Sequence, residues 1–108
     1  MKYNIGEFEE IVLLLVAAQQ HEAYGLSITT AIKEELNRPV TLSSVHTALY
    51  RLEEKGFVES AIGGATKERG GRRKRIYSIT TTGKEVLKEA RDARNQLWSM
   101  IPKVVIDS

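Results

Sequence analysis

The helical hydrophobic period of this chain is interrupted at one place, and that interruption constrains the fold more than any other feature. Up to Gly56 apolar side chains recur at helical spacing. Then come FVESAI (57–62) and RIYSI (75–79), two short strand-like runs on either side of a glycine-rich, basic loop from Gly63 to Lys74. From TTTGKEVL onward the helical period returns. One hairpin with a long tip, set between helices, makes the chain α+β and mainly α.

The helices can be read in order. In the first, roughly Ile5 to Gln20, Phe8, Ile11, Val12, Leu15 and Ala18 follow helical spacing, and Leu13, Leu14 and Val16 make it apolar nearly all round. Such a helix must be covered on every side, which in a short chain points to a partner subunit. In the second, Tyr24, Ile28, Ile32 and Leu36 recur every four residues, Asn37 and Pro39 end it, and Gly25 is expected to serve a tight turn before it. In the third, Thr41 is the expected N-cap, Leu42, Val45, Leu49 and Leu52 the buried stripe, and Gly56 the C-terminal stop. The last helix starts at Thr80, or at Thr82 with Glu85 completing a capping box, and Pro102 should end it near Met100 or Ile101. Three helices, a two-stranded hairpin and a further helix describe a winged helix-turn-helix over residues 1–81, with a C-terminal dimerisation helix and tail over 82–108, in one compact domain overall.

The charge pattern bears on function. The 108 residues carry a net charge of only +2, yet residues 67–75 hold six basic side chains and one acidic one. The body is therefore acidic and the hairpin tip is a basic finger, a pattern suited to a local polyanion contact. Arg69, Arg72, Arg73, Lys74 and Arg75 are the candidate phosphate anchors, and Gly70 and Gly71 allow the backbone to approach a groove wall. On the third helix, Ser43, Ser44, His46, Thr47, Tyr50 and Arg51 lie opposite the apolar stripe. Short donors and acceptors near a helix N-terminus suit a recognition helix, and any amphipathic surface helix also presents such a face. Glu53 and Glu54 balance Arg51 and Lys55, so electrostatic affinity has to come mainly from the wing.

The last helix carries an apolar stripe of Val86, Leu87, Ala90, Ala93, Leu97, Trp98 and Ile101, longer than the hairpin can cover. Packing against a second copy fits it. The expected homodimer interface comprises Phe8, Ile11, Leu15, Leu87, Ala90, Leu97, Trp98 and Ile101. Other chemistries find little support. The chain has no cysteine and only two histidines, which excludes a histidine–thiolate zinc site, and no cofactor is implied. No hydrolase, metalloprotease or phosphate-loop motif is present, so an enzyme is not expected. IVLLLVAA (11–18) is too short to span a bilayer and follows an acidic flank unlike that of a signal peptide; a cytoplasmic protein is expected.

GEFEEIVLL, AYGLSI, TALYRLEEKGFVES and KERGGRRKRIYSITTTGKEVL together resemble short PadR-type transcriptional regulators, over about Gly6 to Arg91. The pattern differs from the family's at His46, where many members have tyrosine, and at Arg73, where many have proline. The resemblance implies a homodimeric repressor of detoxification, efflux or its own genes. Its third helix would enter the major groove of double-stranded operator DNA, near-palindromic for a dimer, and its wing would lie over the adjacent backbone. It also implies a small planar hydrophobic effector, which Trp98, the only tryptophan, would sandwich against its mate; simple interface packing is the other role open to Trp98. The rival to DNA binding is a winged-helix module whose basic loop docks an acidic protein.

Overall fold

A computed structural model describes residues 2–63 and 73–107. The elements run α1 (Glu7–Ala18), α2 (Gly25–Leu36), α3 (Leu42–Glu54), β1 (Val58–Ile62), β2 (Arg75–Ile79), α4 (Thr81–Ser99) and α5 (Lys103–Asp107). The two strands pair antiparallel, with Val58 opposite Ile79 and Ile62 opposite Arg75. This is the winged helix-turn-helix order expected from the periodicity, with a short α5 after Pro102 that the sequence reading did not include.

The core is one cluster. Val12, Leu13 and Val16 of α1, Ile28 and Ile32 of α2, and Val45, Ala48, Leu49 and Leu52 of α3 are joined by Ala23, Phe57, Val58 and Val86. Each helix thus buries one stripe, as the spacing predicts, but the stripes are shorter than the apolar lettering suggests. Leu42 is 44% exposed and Leu36 49% exposed, so neither belongs to the buried set. Both lie at helix ends, beyond the reach of the three-helix core. Leu14 on α1 is also exposed.

Local chemistry ends each element. Thr41 accepts a hydrogen bond from the Ser44 amide at 3.1 Å, capping α3. Gly56 at φ +80° closes α3 and turns the chain into β1. Asn37 adopts the left-handed conformation at the end of α2. Gly25 does not make the turn between α1 and α2, contrary to expectation; it is the first residue of α2. The turn is made by Gln20 (φ 39°) and His21 (φ 68°), two non-glycine residues in the left-handed region.

A third contact converts the hairpin into a near three-stranded edge. The Tyr77 amide donates to the Ala23 carbonyl at 2.8 Å, forming an isolated bridge that fixes the α1–α2 connector against β2. On the other side the N-terminal segment straps across α4. The Tyr3 ring meets Phe57 edge-on at 6.0 Å, and its hydroxyl donates to Glu85 at 2.8 Å.

Of the two proposed starts for α4, Thr80 is the one used. Its hydroxyl oxygen accepts from the Gly83 amide at 3.0 Å and its hydroxyl donates to the Gly56 carbonyl at 2.6 Å. One side chain therefore joins the end of α3 to the start of α4. Replacing Thr80 by valine keeps the shape and removes both bonds. It should lower unfolding free energy by roughly 1–2 kcal/mol, read as a lower urea midpoint with an unchanged slope. An unaltered midpoint would show that the cap contributes nothing.

Candidate nucleic-acid interface

Every proposed α3 contact residue is exposed: Ser43, Ser44, His46, Thr47, Tyr50 and Arg51 all lie on the face away from the core. Burial of Val45, Ala48, Leu49 and Leu52 forces this outcome, because residues between those positions must point outward. The hydroxyls differ in their availability. Ser44 donates to the Thr41 carbonyl at 2.8 Å and Thr47 to the Ser43 carbonyl at 3.1 Å, so both present mainly acceptor lone pairs to an approaching ligand. Ser43 makes no side-chain hydrogen bond among the described residues and offers donor and acceptor. Tyr50 is 64% exposed, a large aromatic ring held in solvent one turn further on. No acidic residue occurs in α3 before Glu53, so its N-terminal half combines exposed hydroxyls with the positive end of the helix dipole.

The wing base sits beside this face. Arg73 is exposed and Lys74 half-buried, its ammonium 4.2 Å from the centre of the Tyr24 ring. Arg75 donates to the Ser60 hydroxyl at 3.0 Å, and Ser60 in turn donates to Glu53 at 2.8 Å, a chain linking both strands to the end of α3. Tyr77, further along β2, is partly buried; desolvation, with the Glu53 charge adding, raises its phenol above the ordinary value and keeps it a neutral donor. Arg69 and Arg72 lie outside the described residues.

A cleft of 250 Å³ separates the two arms. The starts of α2 and α3 and the wing base line it, through Tyr24, Leu26, Leu42, His46, Arg73 and Lys74. Gly25 explains how tightly the arms meet. A Cβ at that position would lie 2.3 Å from His46 Nε2, so the imidazole rests against a backbone that only glycine leaves open. Of the residues the sequence suggested, His46 of α3 and Arg73, Lys74 and Arg75 of the wing base meet in this cleft, whereas Ser43, Ser44, Thr47, Tyr50 and Arg51 lie outside it on the exposed face of α3.

The expected interface residues divide into two groups. Phe8, Ile11, Leu15 and Leu87 are partly buried against the core, and Ala90 is 3% exposed. Leu97, Trp98 and Ile101 project from the far half of α4, Trp98 being 59% exposed. Among the described residues no group of acidic, histidine or cysteine side chains is placed to hold a metal ion, and no helix is long and apolar enough to cross a membrane.

The family model of the transcriptional regulator PadR-like family matches residues 13–89, most of the chain. The chain belongs to the PadR-like family of transcriptional regulators. That membership places it among regulators rather than enzymes. A PadR-like regulator from Bacillus cereus is 19% identical, with 91% of this chain and 90% of that chain aligned and a TM-score of 0.73. A PadR-like transcription factor from Bacteroides fragilis is 22% identical over 85% of this chain and 84% of that one, with a TM-score of 0.72. Bacillus subtilis PadR, solved in complex with operator DNA, is 23% identical, and 93% of this chain aligns with 52% of that one at a TM-score of 0.66. These likenesses establish the shared fold. No curated protein matched the chain.

In this PadR-like chain, sequence reasoning missed Tyr24, Gly25 and Leu26 as members of the site. Tyr24 fell on a helical stripe and read as core; its pairing with Lys74, fifty residues away, leaves no local signal. Gly25→Ala should displace the His46 ring and cost roughly 1–3 kcal/mol of stability. The double variant Gly25→Ala/His46→Ala should recover most of that loss in a double-mutant cycle. Additive losses would mean that the two residues do not press on each other.

Proposed function

We propose that the chain is a dimeric repressor that binds double-stranded operator DNA, with α3 in the major groove and the wing over the neighbouring backbone. The observation that carries this reading is the cleft where His46 of the exposed α3 face meets Arg73, Lys74 and Arg75 of the wing base, on a chain whose other residues are net acidic. Ser43, Ser44, His46, Thr47, Tyr50 and Arg51 read or position; Arg73, Lys74 and Arg75, with Arg69 and Arg72 of the loop, anchor phosphates. The operator-bound state of Bacillus subtilis PadR supports the same use of this fold.

The projecting half of α4 supports a dimer. Leu97, Trp98 and Ile101 form an exposed apolar group there, and a second α4, with help from the half-covered α1, is a partner of matching chemistry. The regulated genes are of the efflux or detoxification kind, or the protein's own, and it acts in the cytoplasm. A small planar aromatic effector stacked on Trp98 would release the DNA.

Counterion release tests the DNA reading. Binding to fluorescent DNA covering the protein's own promoter, against scrambled DNA, should show a salt slope of several units, since each neutralised phosphate adds about −0.9. Arg73→Ala, present twice in a dimer, should flatten the slope by about 2 while leaving the thermal unfolding curve in place. Absence of binding to either DNA at low salt would instead favour a protein-docking role for the basic loop.

A further inference from the structure

A second cationic site lies on the other side of the connector from the DNA-facing cleft. It is a cavity of 410 Å³ between the end of α1, the base of β2 and the first turns of α4. Its volume falls in the range of small-molecule sites. Val16, Ile79 and Leu87 supply an apolar floor. At the rim, Lys84 and Lys88 stand one turn apart on α4, their Cβ atoms about 6 Å apart by helix geometry. Neither lysine's ammonium group has an ion-pair or hydrogen-bond partner among the described residues. Opposite them, His21 Nδ1 lies 3.2 Å from the Ser78 hydroxyl oxygen, which leaves Nε2 for a ligand.

The backbone there is unusual. Gln20 and His21, both lining the cavity, are consecutive non-glycine residues at positive φ. Such residues cost free energy, persist only where the surroundings hold them, and cluster at ligand sites. Glycine adopts such angles without that cost, as Gly56 does where α3 turns into β1.

We infer that this cavity binds a small dianionic ligand, a phosphate monoester or dicarboxylate carrying an apolar body about one ring in size. Two lysine ammonium groups on one helix face match two negative charges, His21 and Ser78 add hydrogen bonds to the same head, and the Val16–Ile79–Leu87 floor takes the apolar part. A monoanion leaves one lysine unneutralised; inorganic phosphate leaves the floor empty. The site uses none of the residues assigned to DNA, so it stands independently of that reading. It does touch the same connector: His21 meets Ser78, Ala23 is bonded to Tyr77, and Tyr24 lies under Lys74.

Titration calorimetry with phenyl phosphate as the probe tests this. Saturable binding of one molecule per protomer is expected, with inorganic phosphate and benzoate each weaker by about tenfold or more. Lys84→Gln/Lys88→Gln should weaken phenyl phosphate by at least that factor, and His21→Asn, which tolerates the left-handed backbone, by less. Arg73→Ala should leave the affinity as it was, separating this cavity from the phosphate anchors of the wing. Both lysines are exposed, so the double variant should keep its far-ultraviolet dichroism; the single variants replace it if it does not. Absence of saturable binding at millimolar phenyl phosphate, benzoate binding as tightly, or indifference to both lysine substitutions would overturn the assignment.

Discussion

Val45, Ala48, Leu49 and Leu52 of α3 are buried in the same apolar cluster as Leu13, Val16, Ile28 and Ile32, and the placement of the rest of the molecule depends on that burial. Fully burying a leucine or valine side chain contributes about 1.5–3 kcal/mol, so the four positions hold α3 at one rotation about its axis. Once that rotation is set, Ser43, His46, Thr47 and Tyr50 have no choice but to face solvent. The contact of His46 with the Gly25 backbone then sets the distance between α2 and α3. The Ala23–Tyr77 bridge sets the hairpin beside both. Packing chemistry thus determines where polar chemistry is displayed.

Periodicity made the element order legible, because each helix buries one continuous stripe and the hairpin breaks that period. Caps were legible for the same local reason: Thr41 and Thr80 each accept from an amide three residues on, and Gly56 turns the chain directly after α3. The second bond of Thr80, to the Gly56 carbonyl, is not local. What the pattern does not carry is how far the core extends. Leu14, Leu36 and Leu42 have the lettering of core residues, yet the described fold leaves them in solvent, since no facing element reaches the helix ends or the outer side of α1. The role of Gly25 was misread on the same grounds. Glycine between helices suggests a turn, whereas here the missing side chain matters because of a histidine twenty-one residues on.

The candidate site was legible where it is made of neighbours in sequence and hidden where it is not. The α3 face and the basic run announce themselves by spacing and charge. Tyr24 beneath Lys74, and Lys84 and Lys88 opposite His21, come together only through the hairpin and the connector that runs along it. That connector, residues 19–24, lies between two cationic regions of different character. One is open and faces the wing; the other is a cavity with an apolar floor. The two are joined along the chain by this connector, in which Gln20 and His21 stand at positive φ.

The most direct test of where nucleic acid meets this surface is a ¹⁵N–¹H correlation spectrum of the labelled protein, titrated with a duplex that it binds. Amides of residues 42–51 and 73–75, with those at the start of α2, should shift or broaden together and saturate at one protomer per half-site. Shifts confined to the base of β2 and the first turns of α4, or none at all on the α3 face, would contradict the assignment of that face to DNA.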